Sequence, residues 1–220
     1  MFRFNKTEWI SIGIVALLHS FFFVYAFNHH NIYLADDSQE YLWQAYNLKH
    51  HGSWYGSDYN LPYNAYLQTR RPPLYGIFIF LAKGIYNSDY FVCLLQNILS
   101  IISIIAGGLI AKKLKAKTNW LIMPVMLLFF PTQLIYANRI MADVLFQFLI
   151  VFSVWFLVRH NETARIKFLF LASICIALSA LTKPVMYLFA PVLIAFFFFL
   201  FLKNRISAKK ISFFFFLFLV

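Results

Sequence analysis

The chain has 220 residues, of which 62% are hydrophobic and only 12% are charged. Soluble domains carry about twice that charged share, so the composition excludes water as the solvent of most of this surface and predicts an all-α integral membrane protein. The formal net charge of +11 would suggest nucleic acid as the partner of a soluble protein. In a membrane protein Lys and Arg mark the cytoplasmic loops, so we expect membrane lipid and no nucleic acid as a partner.

The first predicted element is an apolar run over residues 9–27, which follows a basic N-terminus with Arg3 and Lys6. This order resembles a secretory signal, but polar residues, among them His29 and His30, stand where a small-residue cleavage site would be needed. At about 1.5 Å per residue in a helix, the run is long enough to cross a hydrocarbon core of about 30 Å. We therefore predict an uncleaved signal-anchor helix.

Residues 28–89 contain the one long polar stretch of the chain and are predicted to be an external loop that carries amphipathic surface helices. Asp37 and Glu40 have the spacing of a capping box at the start of the first of these helices. That helix is predicted to end at about His51, because Gly52 supplies a stop. Function is expected in this loop, since loops carry many binding and catalytic residues.

A short apolar stretch lies at residues 77–85 of the same loop, after Arg70 and Arg71. It is too short to cross the membrane, so it is predicted to be a surface or re-entrant helix with proline near its first turn. The two arginines would then lie at the membrane surface. Guanidinium groups there suit bidentate contacts with a phosphate, although simple interfacial anchoring is an equally good explanation.

Further apolar spans follow the loop, at residues 90–111, 120–137, 141–158, 168–181 and 185–202, and a seventh begins at residue 211. The basic segments between them fall on the same side as the N-terminus if each span crosses once; they are residues 112–117, 159–167 and 203–210. Loops rich in Lys and Arg lie in the cytoplasm. We therefore predict a multi-pass plasma-membrane protein with a cytoplasmic N-terminus.

The seventh apolar run reaches Val220 before it is long enough to cross a bilayer. A crossing helix needs about 20 apolar residues. We therefore expect residues 1–220 to be the N-terminal part of a single polytopic membrane domain, with a C-terminal part missing.

Four short motifs occur in order along the predicted external side. They are Asp-Ser-Gln-Glu-Tyr at residues 37–41, Arg-Pro-Pro-Leu-Tyr at residues 71–75, Asp143 at the start of a span, and Lys183 followed by Pro184. Their order and spacing resemble those of the GT-C glycosyltransferases of the protein-mannosyltransferase and lipid A aminoarabinose-transferase type. Members of that family are about twice as long as this chain or longer.

The resemblance implies a multi-span helical GT-C architecture and an inverting transfer of a sugar from a polyprenyl-phosphate donor to an acceptor on the external face. A loop carboxylate, Asp36 or Asp37, would be the general base. The resemblance implies that substrate or lipid phosphate is bound by Arg70, Arg71, Tyr75, Arg139, Asp143 and Lys183. The sugar, the acceptor and any cofactor are left unknown.

Simpler explanations exist for several of these residues. Asp36 and Asp37 are also suitable caps of a surface helix, and Asp143 is also suitable as a solvated acid at a helix start. The histidine pairs at residues 29–30 and 50–51 suggest a metal site. However, neighbouring residues on a helix point about 100° apart, and their order matches no metal motif, so no metal site is expected.

Two other classes of protein are alternatives to the enzyme. A secondary transporter requires charged residues within its spans, and these spans have almost none away from their ends. A non-catalytic membrane subunit, or a truncated inactive enzyme fragment, keeps the spans but does not require acid, arginine and lysine on one external surface. The sequence therefore predicts a glycosyltransferase that uses a lipid-phosphate sugar, with the non-catalytic subunit as the alternative.

Overall fold

The computed structural model describes residues 4–29, 33–35, 37–114 and 119–187. Asp36, the predicted span over residues 185–202 beyond residue 187, and the seventh apolar run lie outside these described residues. Every regular element within the described ranges is a helix, which confirms the prediction of an all-α fold for this part of the chain.

Three of the helices are longer than the others. In chain order the helices are α1 (Lys6–Asn28), α2 (Ser38–His51), α3 (Tyr66–Thr69), α4 (Pro73–Ile85), α5 (Asp89–Lys113), α6 (Ile122–Phe129), α7 (Thr132–Ala137), α8 (Asp143–Thr163) and α9 (Ile166–Ala180). With 23, 25 and 21 residues, α1, α5 and α8 are long and apolar enough to cross a membrane, while α4 and α9 are apolar but shorter. The chain is therefore a helical membrane protein.

Ion pairs between helix ends define the direction of the long helices. Lys112 in the last turn of α5 pairs with Glu8 in the first turn of α1, with an Nζ–Oε1 distance of 2.7 Å. Lys113 pairs with Glu162 near the end of α8 at 2.8 Å. Thus α5 and α8 run parallel to each other and antiparallel to α1. The opposite end of the bundle, where α1 ends and α5 and α8 begin, is called the loop end below.

The apolar stretch predicted as one span over residues 120–137 is divided into the two short helices α6 and α7. The division falls at Pro131, which has no amide hydrogen and disfavours helical backbone at the residue before it. Phe130 accordingly has φ −128° and ψ 74°. The break and the turn into α8 leave backbone carbonyl groups without helical partners, and such groups need other donors where water is scarce.

Side chains of α5 supply these donors. The amide Nε2 of Gln96 donates to the Arg139 carbonyl at 2.6 Å, and Nδ2 of Asn97 donates to the Ala137 carbonyl at 3.1 Å. The fully buried Tyr75 of α4 donates its hydroxyl hydrogen to Oε1 of Gln96. Gln96 thereby ties both α4 and the connection into α8 to α5.

We expect the substitution Gln96→Leu to destabilise the fold, because the Tyr75 hydroxyl hydrogen would stay buried without its acceptor and the Arg139 carbonyl would keep only the bond from the Met141 amide. A buried group without a partner costs about 1–3 kcal/mol, so the free energy of unfolding should fall by about that amount. A denaturant titration of the protein in detergent measures this change. The control Ser103→Ala, on the same helix, removes a hydroxyl whose one bond to a described residue is to the Leu99 carbonyl of its own helix. Equal losses in the two variants would contradict the role given to Gln96.

Candidate functional site

The helices α2 and α4 of the loop run side by side in the same direction. The ring of Tyr41 in α2 meets the ring of Tyr75 in α4 edge to face, with 4.8 Å between their centroids. Further along, Gln44 lies against Gly76, where an added Cβ atom would come within 3.2 Å of the Gln44 Cβ. Because Gly76 has no side chain, the helices approach closely and their N-terminal ends meet at one place.

The predicted capping box at the start of α2 is wrong. Asp37 occupies the N-cap position, but its carboxylate makes no capping hydrogen bond. Both acids instead accept hydrogen bonds from Arg71, whose Nη2 lies 2.5 Å from Asp37 Oδ1 and whose Nε lies 2.9 Å from Glu40 Oε2. Hydrogen bonds between a guanidinium and a carboxylate are stronger than those from a neutral backbone amide, which accounts for the choice of partner.

Glu40 belongs to this site, although it is not among the site residues predicted from the sequence. Its Oε1 lies 3.0 Å from Nη1 of Arg70, so this carboxylate is held between two arginines. Its side chain is only 15% exposed. The spacing that suggests capping also places Asp37 and Glu40 on one face of the helix, and this is the signal from which Glu40 can be found.

A second acid–base pair lies at the start of α8. Asp143 is the first residue of that helix and Lys183 follows α9, and their side chains pair with an Nζ–Oδ1 distance of 2.6 Å. The second carboxylate oxygen of Asp143, Oδ2, is buried and accepts no hydrogen bond from a described residue. Buried oxygens of this kind normally have a donor, so this one is suited to accept a hydrogen bond from a ligand.

Members of both acid–base groups, although not Glu40, line one open pocket with a volume of about 350 Å³ at the loop end of the bundle. It brings together five residues that the sequence analysis selects: Asp37, Arg70, Arg71, Asp143 and Lys183. Two other selected residues do not line it. Tyr75 is fully buried, and Arg139 contributes its carbonyl to the contact with Gln96. Asp36 lies outside the described residues.

The protonation states of two lining residues follow from their surroundings. Burial raises the pKa of Tyr41 to about 12, so this hydroxyl is protonated at neutral pH. Burial opposes the charge of Arg71, but its hydrogen bond to Glu40 and the charges of Glu40 and Asp37 outweigh that effect and raise the pKa of the guanidinium. The Arg71 guanidinium carbon lies 5.8 Å from the centroid of the Tyr41 ring. The pocket therefore has a permanent cation beside a neutral phenol.

The charges of these groups indicate which ligands and which reactions suit the pocket. Three cationic side chains are suited to an anionic ligand such as a phosphate, and the neighbouring carboxylates are suited to accept protons. Within the described ranges, no group of three or more His, Cys, Asp or Glu side chains is placed to hold a metal ion.

No protein-family model, curated protein or solved structure matches this chain. Its class is therefore defined by the fold and the pocket alone. They describe a helical membrane protein with a charged pocket at one end of its bundle.

We expect the substitution Arg71→Leu to lower the free energy of unfolding by about 1–2 kcal/mol, because Asp37 loses its partner and Glu40 loses one of two. The matched control is Arg70→Leu, whose side chain is 39% exposed and whose one ion pair among the described residues is with Glu40. An exposed pair of this kind contributes less than about 1 kcal/mol. Thermal unfolding of both variants in detergent measures the difference. A loss with Arg70→Leu as large as that with Arg71→Leu would contradict the central position of Arg71.

Proposed function

We propose that this chain is a membrane glycosyltransferase of GT-C architecture, which transfers a sugar with inversion from a polyprenyl-phosphate donor to an acceptor on the external face. The observation that carries the proposal is that one pocket is lined both by the Asp37 carboxylate and by the cationic groups of Arg70, Arg71 and Lys183. Transfer from a lipid phosphate requires a proton acceptor and phosphate-binding groups at one place. The resemblance of the motifs to GT-C enzymes supports the same assignment.

In the proposed reaction the guanidinium groups of Arg70 and Arg71 bind the donor phosphate, because their planar donors match phosphate oxygens. Asp37 takes the proton of the acceptor hydroxyl or amine as the acceptor atom attacks the anomeric carbon. The bond between that carbon and the phosphate oxygen breaks, and polyprenyl phosphate leaves with the bonding electrons. A single displacement of this kind inverts the anomeric centre.

The ion pair between Asp37 and Arg71 suggests how the donor prepares the base. The Arg71 guanidinium donates to Asp37 Oδ1 at 2.5 Å, so this carboxylate oxygen is already occupied before a donor binds. A phosphate offers two oxygens to the same guanidinium and so competes with the carboxylate for it. When the phosphate takes the Arg71 donors, the Asp37 oxygen is released and can accept the proton of the acceptor. Donor binding would then precede proton removal.

Asp143 and Lys183 complete the proposed site. Lys183 supplies a third cation for the leaving phosphate, and Oδ2 of Asp143 can accept a hydrogen bond from a sugar hydroxyl. Tyr75 and Arg139 contribute indirectly in this proposal. The Tyr75 hydroxyl and the Arg139 carbonyl both bond to Gln96, which holds the connection into α8 and so positions Asp143.

We also propose that the N-terminus lies in the cytoplasm and the pocket outside a plasma membrane. The pairs of Lys112 with Glu8 and of Lys113 with Glu162 bring together the ends of the helices that border the basic segments. Basic segments are retained on the cytoplasmic side. The loop end, with the pocket, would then face the compartment in which the acceptor is glycosylated.

The substitution Asp37→Asn should lower the transfer rate at least about 100-fold, because the amide cannot take the acceptor proton. The measurement uses the full-length protein in membranes that contain its native acceptors, with a panel of radiolabelled polyprenyl-phosphate sugars, and follows loss of label from the lipid. The matched control is Asp58→Asn, an acid of the same loop whose carboxylate caps a turn by accepting from the Asn60 amide.

Each outcome of this experiment is informative. Loss of transfer in Asp37→Asn with normal membrane insertion, and transfer retained in Asp58→Asn, would support the assigned base. Transfer by Asp37→Asn at the wild-type rate would overturn it and leave Asp36 as the candidate. Failure of the wild-type protein with every donor would favour the alternative, a non-catalytic membrane subunit.

The proposed orientation predicts the labelling of introduced cysteines in intact cells. In a background with Cys93→Ala and Cys175→Ala, a membrane-impermeant maleimide should label Asn60→Cys, which is exposed in the external loop. The same reagent should label Asn161→Cys, exposed near the end of α8, only after the cells are permeabilised. Labelling of Asn161→Cys in intact cells would reverse the orientation.

A further inference from the structure

A second pocket lies at the other end of the α2–α4 pair. The two helices lie side by side from Tyr41 and Tyr75, near their N-terminal ends, to their last turns. Lys49 is 12 residues beyond Asp37, which places it about 18 Å further along α2. This pocket, called the α2–α4 pocket below, is therefore separate from the pocket that Asp37 lines.

The α2–α4 pocket has an apolar wall and a basic rim. Its volume of about 140 Å³ suits a small headgroup. The apolar wall is formed by Leu42, Ala45 and Phe80, and the polar groups around it include Lys49, Lys83 and Asn87. No acidic side chain is among the described residues that line it. This combination of a cationic rim and an apolar wall suits an anionic amphiphile.

The two lysines at the rim differ in whether they form an ion pair. Lys83 pairs with Asp89, with an Nζ–Oδ1 distance of 2.6 Å. Lys49 is exposed and makes no ion pair or hydrogen bond with a described residue. The last turns of both helices present backbone carbonyls, which repel anions, but Lys49 in α2 and Lys83 in α4 offset that effect. Lys49 is therefore the lining cation that a ligand can engage without displacing an acid.

The surface around the C-terminal end of α4 is apolar. Leu81 is 59% exposed and Ile85 is 77% exposed, although both are large aliphatic side chains. In a membrane protein, such exposure on an apolar helix indicates contact with lipid acyl chains. The last turns of α4, which also carry Lys83, therefore lie next to membrane lipid.

We propose that the α2–α4 pocket binds a phosphate group, either the phosphodiester of a membrane lipid or free phosphate. The Lys49 ammonium and the Asn87 amide donate to the phosphate oxygens, and the ammonium of Lys83 adds positive charge while it remains paired with Asp89. Leu42, Ala45 and Phe80 contact the apolar part of a lipid ligand. This site is independent of the proposed glycosyl transfer.

The test measures lipid binding to the full-length protein in a neutral detergent by native mass spectrometry. The probes are dioleoylphosphatidylglycerol, dioleoylglycerol, which lacks phosphate, and inorganic phosphate as a competitor. We expect Lys49→Gln to weaken phosphatidylglycerol binding about tenfold, since it removes one charge-assisted contact. The matched control is Lys6→Gln, which makes the same change of charge at an exposed position at the start of α1. Its affinity should equal that of the wild-type protein.

The remaining arms separate the two sources of phosphate. Binding of phosphatidylglycerol that depends on Lys49 and resists millimolar inorganic phosphate would identify a lipid headgroup as the ligand. Lys49-dependent competition by inorganic phosphate would identify free phosphate. Equal affinities of Lys49→Gln and Lys6→Gln for phosphatidylglycerol and for inorganic phosphate would overturn the proposal. So would Lys49-dependent binding of dioleoylglycerol that is as tight as that of phosphatidylglycerol.

Discussion

The candidate site depends on the hydrogen bonds that the Arg71 guanidinium donates to two carboxylates. The guanidinium joins the start of α2 to the segment that leads into α4, because its Nε and Nη2 atoms reach Glu40 and Asp37 at once. A lysine has one charged nitrogen and cannot make this divided contact in the same geometry. The pairing aims Asp37 into the pocket and leaves the start of α2 without a side-chain cap. Asp37 therefore does not cap its own helix but pairs with Arg71, and this pairing forms the candidate site.

Polar side chains inside apolar helices support that site from below. Gln96 and Asn97 of α5 bond to the backbone where the chain turns from α7 into α8. A second group joins α1, α5 and α7, since the Ser100 hydroxyl lies 2.8 Å from His19 Nε2 and accepts a hydrogen bond from Gln133 Nε2 at 2.6 Å. Such bonds are modest in energy individually, but an unpaired polar group in the same place is costly. They therefore select one arrangement of the helices.

Several features of the fold were predictable from short stretches of sequence. α2 ends at His51 with Gly52 at φ 63°, the left-handed backbone that glycine tolerates best. α4 begins at Pro73, where the missing amide hydrogen is not needed. Of the site, five selected residues line the pocket. The spacing of Asp37 and Glu40 could have indicated Glu40, but its pairing with Arg71 and the contacts of Gln96 were not predictable, because these partners are distant in the sequence.

The sequence by itself determined the class of protein, the apolar runs and the ends of the surface helices. These depend on composition and on the backbone preferences of neighbouring residues, which are local properties. Only the tertiary structure decided the partners of the charged groups. Arg71 and Asp37 are 34 positions apart, and Lys183 and Asp143 are 40 positions apart. A carboxylate can cap its own helix or bind a distant cation, and the packing of α2 on α4 and of α8 on α9 made that choice because it brought the cations within reach.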